Sequence, residues 1–138
     1  MPQLRTTRAE ELSKEESLRL LSEQSYLGRV GFLDRGTIEV LPVNYLVDGT
    51  SVVFCTAPGT KLAALAGGAD VAFEVDQTKP LYHAGWSVVV HGRASEVTDA
   101  FDIERYHRGP LRSWASPVPQ HWIRISIGEI TGRRLAGM

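Results

Sequence analysis

Three residues able to grip an anion stand close together in the run Phe54-Cys55-Thr56-Ala57-Pro58-Gly59-Thr60-Lys61-Leu62. The residues before Ala57 predict the end of a strand, Pro58-Gly59 a turn, and Thr60 and Lys61 the first turn of a short helix through Ala66. A helix start leaves amide N–H groups free and carries the positive end of the helix dipole. The Thr56 and Thr60 hydroxyls and the Lys61 ammonium beside such donors suit a phosphate monoester. An ordinary strand-to-helix connection with a solvated lysine has the same composition, and both readings stay open on the residues alone.

Two further segments carry groups that a ligand would use. In Val40-Leu41-Pro42-Val43-Asn44-Tyr45, Pro42 lacks an N–H and so predicts an edge, a bulge or a ligand-facing break in its strand. A flat ring system fits against such a strand, and Asn44 offers both a donor and an acceptor. A plain edge strand with Asn44 in solvent is the alternative. In Gly85-Trp86-Ser87-Val88-Val89-Val90-His91-Gly92-Arg93-Ala94, Trp86 and Ser87 open a strand where they would reach across an interface.

Other chemistries are poorly supplied. The four histidines, His83, His91, His107 and His121, have no ligand spacing and no paired cysteine, so no metal site is expected. There is no Gly-x-Ser-x-Gly, no Gly-x-Gly-x-x-Gly after a strand and no Walker motif. Cys55, in mid-strand, reads as a small core residue. His121, Tyr45 and Tyr82 are acid–base candidates by residue type only.

The elements that must position these groups follow from local patterning. Ser13-Lys14-Glu15-Glu16 is a capping box, and Leu18, Leu20 and Leu21 give one apolar stripe, so a helix is predicted from Ser13 to about Gln24. Residues 1–12 read as a polar arm. Strands are predicted over 27–33, 37–47, 51–56, 69–75, 87–97 and 121–131, with turns at Asp34-Arg35-Gly36 and Asp48-Gly49. In the last strand Ile123, Ile125 and Ile127 share one face, and Trp122, Arg124 and Ser126 the other. Asp99 caps a short helix to His107, and a proline-containing loop spans 108–120. Short strands joined mostly by tight turns predict a mainly β fold, a barrel or a sandwich with flanking helices.

Bulk properties set the frame. With 138 residues, 43% apolar and 22% charged, the chain suits one globular domain spanning 1–138. A net charge of −1 supplies no field to draw it onto nucleic acid or an anionic membrane. The single cysteine rules out an intrachain disulfide framework, and no apolar stretch is long enough to span a bilayer. A cytoplasmic location is the expectation.

Taken in order, Gly28-Arg29-Val30-Gly31-Phe32, Leu41-Pro42-Val43-Asn44-Tyr45, Phe54-x-Thr56-x-x-Gly59-Thr60-Lys61 and Trp86-Ser87-Val88-Val89-Val90-x-Gly92-Arg93-Ala94 resemble the pyridoxamine 5′-phosphate oxidase-like family of FMN-binding split barrels, in particular its small single-domain bacterial branch. The resemblance runs from about Leu18 to Arg134. It implies a six-stranded antiparallel barrel in a homodimer, with two equivalent FMN sites between subunits. On matching positions Thr56, Thr60 and Lys61 would hold the cofactor phosphate, and Pro42, Val43 and Asn44 would face the flavin ring. Trp86 and Ser87 would approach from the partner chain, with Trp122 and Arg124 as further candidates.

The implied function is that of a flavin-dependent oxidoreductase acting on a small molecule. The chain also departs from the family's pattern. It lacks the C-terminal Phe-Trp-Gln-Gly and Arg-x-His segments of pyridoxamine-phosphate oxidases proper, reading Glu129-Ile130-Thr131-Gly132-Arg133-Arg134 instead, and it has Lys61-Leu62 where adjacent Arg-Lys is usual. Pyridoxamine phosphate is therefore not the expected substrate. The resemblance leaves room for a deazaflavin coenzyme, for which Arg5, Arg8 and Arg29 would supply charge, for haem, or for a non-catalytic flavin-binding module.

Overall fold

The computed structural model describes residues 8–23, 26–82, 84–109 and 121–136, without the side chains of Arg8, Thr60 and Ala136. Arg5, Gln24, His83 and most of the 108–120 loop lie outside these. Among the described residues seven strands and three α-helices follow in the order β1 (Arg8–Leu12), α1 (Lys14–Glu23), β2 (Leu27–Asp34), β3 (Thr37–Asp48), β4 (Ser51–Thr56), α2 (Thr60–Ala66), β5 (Gly67–Lys79), β6 (Ala84–Glu96), α3 (Ala100–Arg108) and β7 (His121–Ala136), with a short 3-10 turn at Pro80–Tyr82 between β5 and β6.

All strand pairs are antiparallel, in the order β1-β7-β4-β3-β2-β5-β6, and β6 also pairs with β7. That last pairing closes β2 to β7 into a six-stranded ring, the barrel expected from the sequence. β1 is an added seventh strand, where a polar arm was expected. Its residues, Arg-Ala-Glu-Glu-Leu, have little strand propensity of their own. The overhanging end of β7 pairs them by setting Glu10 opposite Arg134 and Glu11 opposite Arg133, opposite charges on facing positions.

Strand alternation decides what fills the ring. Val30 and Phe32 of β2, Val43 and Tyr45 of β3, Val52 and Phe54 of β4, Phe73 and Val75 of β5, Val88 and Val90 of β6, and Ile123 and Ile125 of β7 form the main core. Leu20 and Leu21 of α1 and Leu65 of α2 join it. The cap of α1 forms as predicted, the Glu16 amide donating to Ser13 Oγ at 3.0 Å, while the Glu16 carboxylate accepts from Arg134 at 2.9 Å. At the end of α1 the Leu21 carbonyl accepts from the fully buried Tyr45 hydroxyl at 2.6 Å.

β6 and β7 run well past their predicted ends at the open side of the ring, because each has a partner there: Gly85 meets Leu135 and Ser87 meets Arg133. Their register shifts between His91 and Gly92. At that bulge Gly92 lies so close to the Ser126 carbonyl that a β-carbon would collide with it.

A second, smaller core joins Val53, Val97, Tyr106 and Trp122 where α3 covers β4 and β7. The Asp99 carboxylate accepts from the Asp102 amide at 3.0 Å and starts α3, as predicted. No helix among the described residues is long and apolar enough to cross a membrane.

Candidate functional site

β3 and β4 pair over only four positions, from Asp48–Ser51 to Tyr45–Phe54. Beyond that last pair they part. β3 continues as Asn44, Val43 and Pro42 with β2 as its partner, and β4 continues as Cys55 and Thr56 with β7 as its partner. The fork leaves one edge of β3 without a ladder partner among the described strands, an edge along which a ligand could lie. Pro42 lies on this stretch, as expected of a proline in an edge segment.

The chain leaves β4 at Thr56 and enters α2 at Thr60, so the Thr56-to-Lys61 turn begins two residues beyond the fork. Gly59 precedes α2 with φ 156° and ψ −171° and no side-chain cap, which leaves the first amides of α2 uncapped by a side chain. Lys61 is exposed and makes no ion pair with the described residues. Thr56 is half-buried, its hydroxyl within a long 3.5 Å of the Ala57 carbonyl. The partners of α2's inner side are in the main core, through Leu65 with Leu62 and Ala64 beside it, while Lys61 of its first turn stays exposed.

The sequence-derived candidates separate by strand phase. Pro42 is exposed and Asn44 half-buried on the outer face of β3, whereas Val43 between them points into the barrel. Ser87 lies on the outer face of β6, in register with Asp76 of β5 and Arg133 of β7. Its neighbour Trp86 packs against the main core. Neighbouring residues of a strand present side chains to opposite faces, so within one chain Trp86 and Ser87 face different surfaces.

Trp122 is 3% exposed in the second core, its ring 5.4 Å from Tyr106 and 5.8 Å from His107. Arg124 beside this core donates to Asp102 at 3.1 Å and to the Tyr106 hydroxyl at 2.9 Å. Within one chain both side chains are engaged in the second core and its clasp, while in the ladder Trp122 lies opposite Cys55, the first residue of β4 beyond the fork.

Of the acid–base candidates, Tyr45 and His121 are similarly committed. Burial pushes the Tyr45 phenol up, and its proton is held on the Leu21 carbonyl. His121 Nδ1 is 2.9 Å from Glu96. Tyr82 stands exposed. Cys55 is half-buried against the second core, and burial pushes its thiol up, which suits the core role expected of it.

One group went unnoticed in the sequence. Pro42, Arg29, Glu74, Val89 and Thr131 lie in one register row across β3, β2, β5, β6 and β7. Arg29, Glu74 and Asp76 thereby meet on the outer face, in a groove of about 340 Å³. No local motif joins residues so far apart in the chain. The only signal was the pairing of acidic residues at one phase of an otherwise apolar strand.

Comparison with known proteins follows the same outline. Residues 13–134 match the family model described as pyridoxamine 5′-phosphate oxidase. An uncharacterized protein of Mycobacterium tuberculosis is 35% identical over 130 residues, covering 91% of this chain and 84% of its own length. The structure of the FAD binding protein from Mycobacterium smegmatis superposes with a TM-score of 0.79 at 36% identity, covering 92% of this chain and 98% of that one. A conserved protein of unknown function from Corynebacterium diphtheriae gives a TM-score of 0.77 at 30% identity, over 94% and 98% of the two chains.

Proposed function

The chain belongs to the pyridoxamine 5′-phosphate oxidase family, and from that premise we propose that it is a homodimeric flavin-dependent oxidoreductase which holds FMN between its subunits and acts on a small molecule other than pyridoxamine phosphate. The observation that carries this reading is the fork after the Tyr45–Phe54 pair, which sets a strand edge with no ladder partner among the described strands close to a helix start with no side-chain cap.

The residues present fit a flavin phosphate and ring. Thr56, Thr60 and Lys61 would hold the phosphate, with hydroxyl donors, α2 amides and one cation not spent on an ion pair among the described residues. The edge of β3 at Pro42 and Val43, which has no ladder partner among the described strands, would bond the polar rim of the ring through peptide groups, with Asn44 beside it. Ser87, on the outer face of β6, would reach the ring held by the other subunit. When bound, the flavin supplies the redox chemistry, and the protein supplies binding, orientation and exclusion of water.

The Mycobacterium smegmatis relative is an FAD binding protein, so FAD in the same site is the second reading. Mass spectrometry of the small molecule released on denaturing the purified protein separates the two. FMN is expected. FAD, a deazaflavin or haem would correct the cofactor, and a protein that takes up no flavin even from excess FMN or FAD would overturn the reading.

A further inference from the structure

Thr56 and His121 form the last pair of the β4–β7 ladder, and Thr56 opens the turn that leads to Lys61. Two residues back on each strand, the Phe54–Ile123 pair is fully buried in the main core. Thr56 and His121 therefore share the inward phase at one end of the barrel. Glu96 has the same phase on β6, two residues past the core residue Ala94 and opposite Ile123 of β7. All three side chains are half-buried there.

β7 runs between β4 and β6, so His121 has Thr56 on one side and Glu96 on the other. Its ring is tied to the second of these, with Nδ1 2.9 Å from Glu96 Oε2. A carboxylate has no proton to give, so Nδ1–H is the donor, and that bond sets both the tautomer and the ring's orientation. Nε2, on the other side of the ring, makes no hydrogen bond with the described residues. One ring nitrogen is held and the other is left open beside the turn.

We propose that His121 bonds the ligand's phosphate through Nε2, and that Glu96 is the positioning residue that orients the ring for it. The proposal rests on the flavin reading given above, in which Thr56 is part of the phosphate grip. Residues opposed across an antiparallel ladder have β-carbons about 5 Å apart, so an anion bonded to the Thr56 hydroxyl lies within reach of the neighbouring imidazole. One proton between Nε2 and a phosphate oxygen makes the bond, whether the ring or the monoester carried it beforehand. The Glu96 carboxylate offsets the positive charge when the ring carries it. Without His121, Lys61 would be the only side-chain cation of the turn.

Fluorescence titration of the full chain with FMN and with riboflavin, which has no phosphate, tests this. His121→Asn keeps a side-chain N–H toward Glu96 and loses Nε2. It should bind FMN about tenfold more weakly, with riboflavin affinity and melting temperature held. His121→Gln, whose amide reaches the position of Nε2, should recover most of the loss. Glu96→Ala should weaken FMN binding in the wild-type background but add nothing to His121→Asn, as expected of a residue that acts through another. In the wild type, nitrogen NMR of labelled histidine should show the His121 Nε2 resonance moving on addition of FMN and not of riboflavin. Unchanged FMN affinity in His121→Asn, FMN and riboflavin weakened alike, or a His121 resonance indifferent to FMN overturns the proposal. A wild type that binds neither ligand overturns instead the flavin reading beneath it.

Discussion

The Tyr106 hydroxyl donates a 2.5 Å hydrogen bond to Asp48 Oδ2, joining α3 to the β3–β4 hairpin across 58 residues of chain. Arg105 reaches the same carboxylate oxygen at 2.7 Å, and Arg124 from β7 donates to the Tyr106 hydroxyl at 2.9 Å. This clasp holds α3 over the second core and ties down the hairpin end of β3 and β4, opposite the end where the fork opens. Removing the hydroxyl in Tyr106→Phe leaves the ring packing intact and should cost about 1 kcal/mol, read as a lower urea midpoint at unchanged slope.

The same clasp makes stability depend on acid. Hydrogen bonds from Arg105 and then Tyr106 hold the Asp48 carboxyl below the usual carboxylate range. A depressed folded-state value stabilises the protein above the unfolded-state value, about 3.9 for aspartate, and that contribution fades as pH falls through the folded-state value. Thermal melts at pH 7 and pH 3 should show Asp48→Asn less stable than the wild type at pH 7, with the gap narrowing at pH 3.

For the phosphate grip, Lys61→Ala should weaken FMN binding about tenfold or more, since a charge-assisted hydrogen bond contributes about 1.5–3 kcal/mol. Riboflavin, which has no phosphate, should bind both proteins alike. Fluorescence titration with the two ligands reads the difference, and equal FMN affinities would remove Lys61 from the site.

Gly92→Ala should destabilise the barrel by roughly 1–3 kcal/mol, because the added methyl meets the Ser126 carbonyl where β6 and β7 change register. Chemical denaturation measures it, and a neutral result would mean that the bulge relaxes to accept a side chain.

Trp122 carries a buried Nε1 with no hydrogen-bond partner among the described residues. Trp122→Phe keeps most of the aromatic packing and discards that donor, so its melting temperature should stay near the wild-type value. Trp122→Ala should lose about 3–5 kcal/mol to the cavity it leaves. If Trp122→Phe instead abolished FMN binding without affecting the melt, Trp122 would belong to the cofactor site.

Local order in the sequence reached far into this fold. Alternation set Ile123 and Ile125 on one face and Trp122 and Arg124 on the other, Ser13 and Asp99 marked two helix starts, and Asp34-Arg35-Gly36 and Asp48-Gly49 marked the hairpins, because each depends on residues within a turn or two of one another. The Thr56-to-Lys61 turn was visible for the same reason. β1 was not, since its strand state comes from β7 and not from its own side chains. Nor was the separation of Trp86 from Ser87 or of Val43 from Pro42 and Asn44 used, although strand phase contained it. Only closure of the ring brought Arg29, Glu74 and Asp76 to one groove, and only the arrival of α3 buried Trp122. Such long-range pairings are selected by the packing of the whole barrel, which no window of sequence contains.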